Sequence, residues 1–189
     1  METGLHDRDG SPLSARLQAR LLREYERYQQ VKRQVKELEG QRLECLRREE
    51  GPGMDQVRQL LQLKGIGVNS AWLYVMRFFS WRGFHNRGEL GSLAGLTPTP
   101  YQSGESARER GISNAGNQPV RSLAIEIAWA WLRFQPDSQL SQWYQARFAQ
   151  GSNRMRRIGI VALARKLLVA LWRYLETGLP PQGAILSDP

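Results

Sequence analysis

Apolar positions recur at helical spacing along most of this chain, and only one long stretch escapes the pattern. Residues 13–49 read as a single long helix with no internal proline and only Gly40 as a weak point. An approximate heptad seam runs through Leu17, Leu21, Tyr28, Val31, Val35, Leu38 and Cys45, interrupted by Glu24 and Arg42. Such a seam suits a coiled-coil or dimerisation helix over 13–50, or a helix packed on the chain's own globular part. Gly51-Pro-Gly53 marks a boundary. Beyond it, Asp55 can cap a helix over 56–63, and a Gly-Ile-Gly turn at 65–67 leads into a second helix. Further helices are expected over 87–94 and from Pro119 to Phe134, the latter capped by Asn117 or Gln118. Pro136 and Asp137 open one that runs to about Gln150. Residues 154–176 form the last, ended by Gly178 and Pro180-Pro181. The class is all-α: a long coiled-coil helix, then a helical domain over 54–178 with a helix-hairpin-helix element, and flexible tails at 1–12 and 179–189.

The exception is residues 93–123, which contain Leu93-Ala-Gly-Leu-Thr-Pro98, Gln102-Ser-Gly104, Gly111-Ile-Ser-Asn-Ala-Gly-Asn117 and Arg121. No helical or strand periodicity runs through them, although a short hairpin inside 97–116 is compatible with the spacing. Gly, Ser, Asn and Arg bring backbone N–H groups, hydroxyls and guanidinium groups near a phosphate. A loop this long inside a compact domain is commonly functional or disordered.

Charge sharpens this picture. The 189 residues carry 27 Lys and Arg against 18 Asp and Glu, a net charge of +9. Residues 1–50 hold 11 basic and 10 acidic residues, whereas 51–189 hold 16 and 8, a net +8. The basic field therefore belongs to the second part and favours a polyanionic partner, nucleic acid first and an anionic membrane surface second. A mean hydropathy of −0.52 argues for a water-soluble chain, no apolar run is long enough to span a bilayer, and no membrane is expected among the partners. Cys45 is the only cysteine, which excludes an intrachain disulfide and points to a reducing, cytoplasmic setting. One Cys and two His far apart make a structural zinc site implausible.

Three groups of residues carry candidate chemistry. Lys64, Gly65 and Gly67 form a helix-hairpin-helix turn that can grip DNA phosphates without reading bases, or that serves as a plain connection. Arg154, Arg156 and Arg157 open the last helix, where three cations oppose the helix dipole and a bound phosphate would relieve them; a solvated basic end is the other reading. Ser103 lies in the irregular stretch, followed by Arg108, Arg110 and Arg121. A serine attacking a phosphodiester needs its oxygens neutralised and its own proton removed. No histidine lies near, which argues against a hydrolase triad, and from the residues alone a serine in a polar loop such as Ser103 is usually an ordinary loop residue. The eight carboxylates within 51–189 form no spaced acidic set for two-metal nuclease work. Of six tryptophans, Trp129, Trp143 and Trp172 fall at helical core spacings.

The order of these motifs, from the Gly-Ile-Gly hairpin through Leu-Ala-Gly-Leu-x-Pro, Gln-Ser-Gly and Gly-Ile-Ser-x-x-Gly-Asn to Arg-x-Leu, resembles the C-terminal transposase domain of the bridge-RNA-guided DEDD insertion-sequence transposases, the insertion sequence one-hundred-and-ten type. The resemblance covers roughly residues 57–135. It implies a DNA transposase that cleaves and rejoins strands through a serine nucleophile, aligned here with Ser103. It also implies that Arg108, Arg110, Asn117 and Arg121 line the phosphate pocket. In such proteins a RuvC-like nuclease domain comes first, then a coiled coil matching 13–50. No cofactor is then expected on this chain, with Mg2+ belonging to the nuclease domain. The partners implied are DNA, a guide RNA and a second copy, in a prokaryotic, nucleoid-associated setting. A non-catalytic helix-hairpin-helix module that binds DNA or RNA is the alternative.

Overall fold

The structure, a computed structural model, describes residues 10–48, 51–80, 83–103, 106–112 and 115–187, with 98–103 and 106–111 described through their backbone. Two compact units are present, Met1–Arg47 and Arg48–Pro189. The first is the helix α1 (Ala15–Arg48). Ser14 starts it, its carbonyl accepting the N–H groups of Leu17 and Gln18, both at 2.9 Å. Thirty-four residues without proline let it run unbroken, and none is buried. Leu17, Leu21, Tyr28, Val31, Val35 and Leu38 of the apolar seam are all exposed.

The second unit is helical apart from one hairpin. Its elements are α2 (Met54–Leu61), α3 (Val68–Tyr74), α4 (Arg87–Leu93), β1 (Pro98–Ser103), β2 (Ser106–Ile112), α5 (Gln118–Phe134), α6 (Gln139–Tyr144) and α7 (Asn153–Thr177). Helices α3 and α6 each run on through a wider π-turn, Val75–Phe79 and Gln145–Ala149. The fold is therefore all-α. Helix α7 is its spine. Ile160, Leu163, Ala164, Leu167, Leu168, Leu171 and Tyr174 recur every three or four residues and are all buried. Against this row pack α5, α2, α4 and α6. Helix α5 contributes Val120, Leu123, Ala124, Ile127 and Trp131; an aromatic cluster of Tyr74, Phe78, Phe79 and Phe84 fills the side nearest α3.

Several local expectations are corrected. Helix α2 starts one residue before Asp55, at Met54, capped by Gly53 at φ 80°. Asp55 is instead fully exposed in the first turn, 3.6 Å from Arg58. Helix α6 starts at Gln139 and not at Pro136, because the Ser138 hydroxyl caps it by accepting the Ser141 N–H at 3.3 Å. Trp129 is 50% exposed, whereas Trp131 is fully buried and donates its Nε1–H to Ser138 Oγ at 2.8 Å. Trp131 lies in register with Ala124, Ile127 and Ala128 on the core side of α5, and Trp129 does not. Residues 182–187, expected to be a flexible tail, are tied down. The Gln182 carbonyl accepts the Gln139 N–H at 3.1 Å, the Ile185 carbonyl accepts the Lys64 N–H at 3.1 Å, and the Ser187 N–H donates to the Gln62 carbonyl at 2.6 Å. Leu186 pairs as an antiparallel bridge with Leu63.

Candidate nucleic-acid interface

The stretch that lacked periodicity is an antiparallel hairpin. Its register pairs Ser103 with Ser106, Tyr101 with Arg108 and Thr99 with Arg110. Opposed residues, and every second residue along a strand, share a face. Ser103, Ser106, Arg108 and Arg110 therefore occupy register positions of one face. The side chains of Ser103, Arg108 and Arg110 lie outside the described residues, as does Gly104.

The base of the hairpin is fixed by close backbone approach. The Asn117 N–H donates to the Leu93 carbonyl at 2.8 Å. Gly95 (φ 69°) and Gly116 (φ 108°) adopt left-handed conformations. A Cβ on Gly95 would collide with the Ala115 carbonyl and meet Arg121 Nη1 at 2.5 Å, and one on Gly116 would collide with the Leu93 carbonyl. Asn117 caps α5, its Oδ1 accepting the Val120 N–H at 3.2 Å, and Arg121 follows one turn later, half-buried. Asn117 and Arg121 are thus brought together under the hairpin. Beside them a hollow of about 200 Å³ is lined by Arg77, Phe78, Leu93, Gly116 and Asn117. Arg77 was not singled out from the sequence; it sits on the π-turn after α3, a departure from helical period that pattern reading does not see.

The Gly-Ile-Gly turn is an angled connection between α2 and α3. Gly65 needs its φ of 95°, with Phe134 packed against it, whereas Gly67 at φ −93° is in ordinary extended backbone. The Lys64 N–H goes to Ile185, and its carbonyl accepts from Gln135 Nε2 at 2.8 Å. The Lys64 side chain is exposed.

The three arginines at the start of α7 divide. Arg156 turns back, its Nε donating to the Ala149 carbonyl at 3.1 Å. Arg154 and Arg157 enter a long open groove, joined there by Arg87, Arg165, Lys166 and Arg173. No Asp or Glu is among the described residues that line it. Arg154, Ile158, Val161, Arg165, Val169 and Arg173 recur at three- and four-residue steps along α7, which is the signal that sequence reading passed over. Between the cations the floor is aliphatic, formed by Ile158, Val161, Ala162, Val169 and Ala170 of the same helix face. Leu96 and Ile112, at the two ends of the hairpin, also line it. Trp143 stands at one wall with Lys166 Nζ 4.7 Å from its ring centre and the Arg147 guanidinium 5.6 Å away. Arg87 is placed by a reciprocal cap. Asn86 Oδ1 accepts from Gly88 and Glu89 N–H at 2.8 and 3.0 Å, and Glu89 accepts from the His85 N–H at 3.0 Å. That N–H donor holds the Glu89 carboxyl below its usual range.

Among the described residues, no group of three His, Cys, Asp or Glu is placed to hold a metal ion, and no helix is long and apolar enough to cross a membrane. The architecture is that of a basic, all-helical domain carrying a serine hairpin, preceded by a long exposed helix. Residues 57–145 match the Transposase IS116/IS110/IS902 family. The chain is 39% identical over 194 residues to the "Putative transposase y4rJ" of Sinorhizobium fredii, an alignment covering 96% of this chain and 48% of that protein. It is 25% identical over 169 residues to the transposase for insertion sequence element IS1328 of Yersinia enterocolitica, covering 88% and 47%. A third relative, the insertion element IS110 43.6 kDa protein of Streptomyces coelicolor, is 26% identical over 119 residues, covering 63% and 28%. The chain thus spans about half or less of the length of the curated relatives it matches.

Proposed function

We propose that this chain is the serine-bearing, DNA-binding part of an IS110-type DNA transposase. The observation that supports it most is the hairpin register. Ser103, Arg108 and Arg110 fall at positions of one face, on a hairpin that leads into Asn117 and Arg121 at the start of α5. In this reading the arginines neutralise the non-bridging oxygens of a DNA phosphate. Ser103 Oγ attacks the phosphorus as its proton passes to a base. The P–O bond to one deoxyribose oxygen breaks, and that oxygen leaves as a hydroxyl after taking a proton. The phosphoserine ester keeps the bond energy. Attack on it by another strand's hydroxyl restores the serine and seals the new junction. Mg2+, held by an acidic nuclease domain outside this chain, would stabilise charge on the phosphate oxygens. Lys64 holds the DNA duplex away from the reacting bond, and the arginines of α7 hold nucleic acid beside it. A guide RNA selects the site, and α1 joins two copies.

The test is a covalent adduct. This chain is mixed with guide RNA, both DNA ends and a full-length relative whose own serine has been removed. The wild-type chain is expected to give a protein–DNA adduct that survives a denaturing gel, and Ser103→Ala to give none while its circular dichroism is unchanged. Ser106→Ala, changed at the paired position, is expected to keep the adduct. An adduct that persists in Ser103→Ala overturns the serine assignment. DNA binding without any adduct leaves a binding module.

A further inference from the structure

The groove along α7 has a composition that neither duplex DNA nor an acidic protein surface explains well. Six cations line it, and none is ion-paired among the described residues. Cations alone would fit any polyanion. The aliphatic floor narrows the choice. A duplex presents phosphates and sugars outward and keeps its bases stacked inside, so Val161, Ala162 and Val169 would face polar backbone. An unpaired strand exposes the faces of its bases beside its phosphates and satisfies both kinds of surface at once. Trp143, half-buried at the wall, offers one ring of the kind on which bases stack. A second copy of α1 is a poor occupant, because the stretch Ala15–Arg48 holds ten basic and five acidic residues and would meet like charge.

We infer that this groove is a track for an unpaired nucleic-acid strand, leading to the base of the serine hairpin. From Arg154 to Arg173 the helix rises about 28 Å at about 1.5 Å per residue. That length holds about eight nucleotides of a stacked strand at about 3.4 Å each. Leu96 and Ile112 put the hairpin's two ends on the groove wall, so a strand leaving the groove there passes into the hairpin's neighbourhood. Cleavage and exchange of strands must open the duplex, and an opened strand needs a holder that keeps it from re-pairing. The inference rests on DNA being this domain's substrate.

The experiment uses the full chain and fluorescein-labelled DNA of one 20-nucleotide sequence, single-stranded and as a blunt duplex. Arg157→Glu with Lys166→Glu changes two exposed groove cations. The double variant is expected to lose about tenfold or more in single-strand affinity at low salt. Its slope of log affinity against log salt should fall by about 1.4, at about 0.7 for each lost contact. Duplex binding should move by less than about threefold. Equal loss for both DNAs, or no loss for the single strand, overturns the track while leaving DNA binding in place. A wild-type chain that binds neither DNA overturns both. A second measurement needs no variant. There are four lysines, Lys32, Lys36, Lys64 and Lys166. Amine acetylation read by mass spectrometry is expected to show Lys166 protected by the single strand several-fold more than Lys32 and Lys36. Equal modification of Lys166 with and without the strand overturns the track.

Discussion

The side-chain amide of Gln135 brackets the backbone of Ile185 from both directions. Its Oε1 accepts the Ile185 N–H at 2.6 Å, and its Nε2 donates to the Ile185 carbonyl at 2.7 Å and to the Lys64 carbonyl at 2.8 Å. Gln135 is fully buried just past the end of α5. One side chain thus joins α5, the Gly-Ile-Gly turn and the C-terminal segment. Gln135→Ala leaves the Ile185 N–H and the Lys64 carbonyl without this partner, takes one of two donors from the Ile185 carbonyl, and is expected to cost about 2–4 kcal/mol in urea unfolding. Gln142→Ala removes one exposed bond, to Asp137, and is expected to stay within about 0.5 kcal/mol. Equal midpoints for the two variants would show that the Gln135 knot is not a stabilising element.

The clamp beneath the hairpin makes a second prediction. Gly95→Ala and Gly116→Ala each combine a left-handed φ with a collision against a backbone carbonyl. Each is expected to destabilise the second unit by about 1–3 kcal/mol. Gly40 meets nothing within 4 Å and lies in the middle of α1. Gly40→Ala is therefore expected to increase helical circular dichroism, in line with about 1 kcal/mol of helix propensity. A Gly95→Ala chain with wild-type stability would remove the close approach as a determinant of the hairpin's position.

The helices were legible because periodicity and caps agree. Pro119 with Asn117, and Gly178 after the last apolar turn, mark boundaries that the structure keeps almost residue for residue. The hairpin was less legible. Pro98, Pro100 and Gly111 suppress alternation, and the two strands pair only with each other among the described residues. The groove was missed for a different reason. Arg165 and Arg173 look like ordinary surface cations until α7 is seen to face a groove with Arg87 and Trp143 across it. Gln135 was invisible because a buried glutamine is defined by partners 50 and 71 residues distant.

Alkaline pH should weaken the fold through Tyr74. Burial, with the negative charge of Glu126 as a lesser cause, raises the Tyr74 phenol well above its ordinary value, and burial also raises Tyr174. The neutral phenol is the form the folded chain favours. Its contribution is fully present below the unfolded pKa of about 10 and falls as pH rises beyond it, because the unfolded phenol ionises and the buried one does not. The slope is at most about 1.4 kcal/mol per pH unit for this one group. Urea midpoints measured between pH 8 and 11 are expected to fall more steeply for the wild type than for Tyr74→Phe. Parallel curves would contradict the assignment.

Helix α1 is expected to be the site of self-association. It buries none of its residues, yet Leu17, Leu21, Tyr28, Val31, Val35 and Leu38 follow the alternating three- and four-residue spacing of a two-stranded seam. An isolated helix with that row open to water is only marginally stable, and pairing with a second copy covers the row. Glu24 and Arg42 interrupt the seam, and in a pair they would set register more than add affinity. Val31→Glu with Val35→Glu puts two carboxylates on the seam of each copy, four per pair. The full-length wild type is expected to scatter light as a dimer or larger, and the double variant as a monomer across the same concentrations. The second unit's thermal transition should be unchanged, since neither valine lies within it. A double variant that keeps the wild-type mass would place self-association elsewhere, and a wild-type chain that is monomeric at high concentration would remove it.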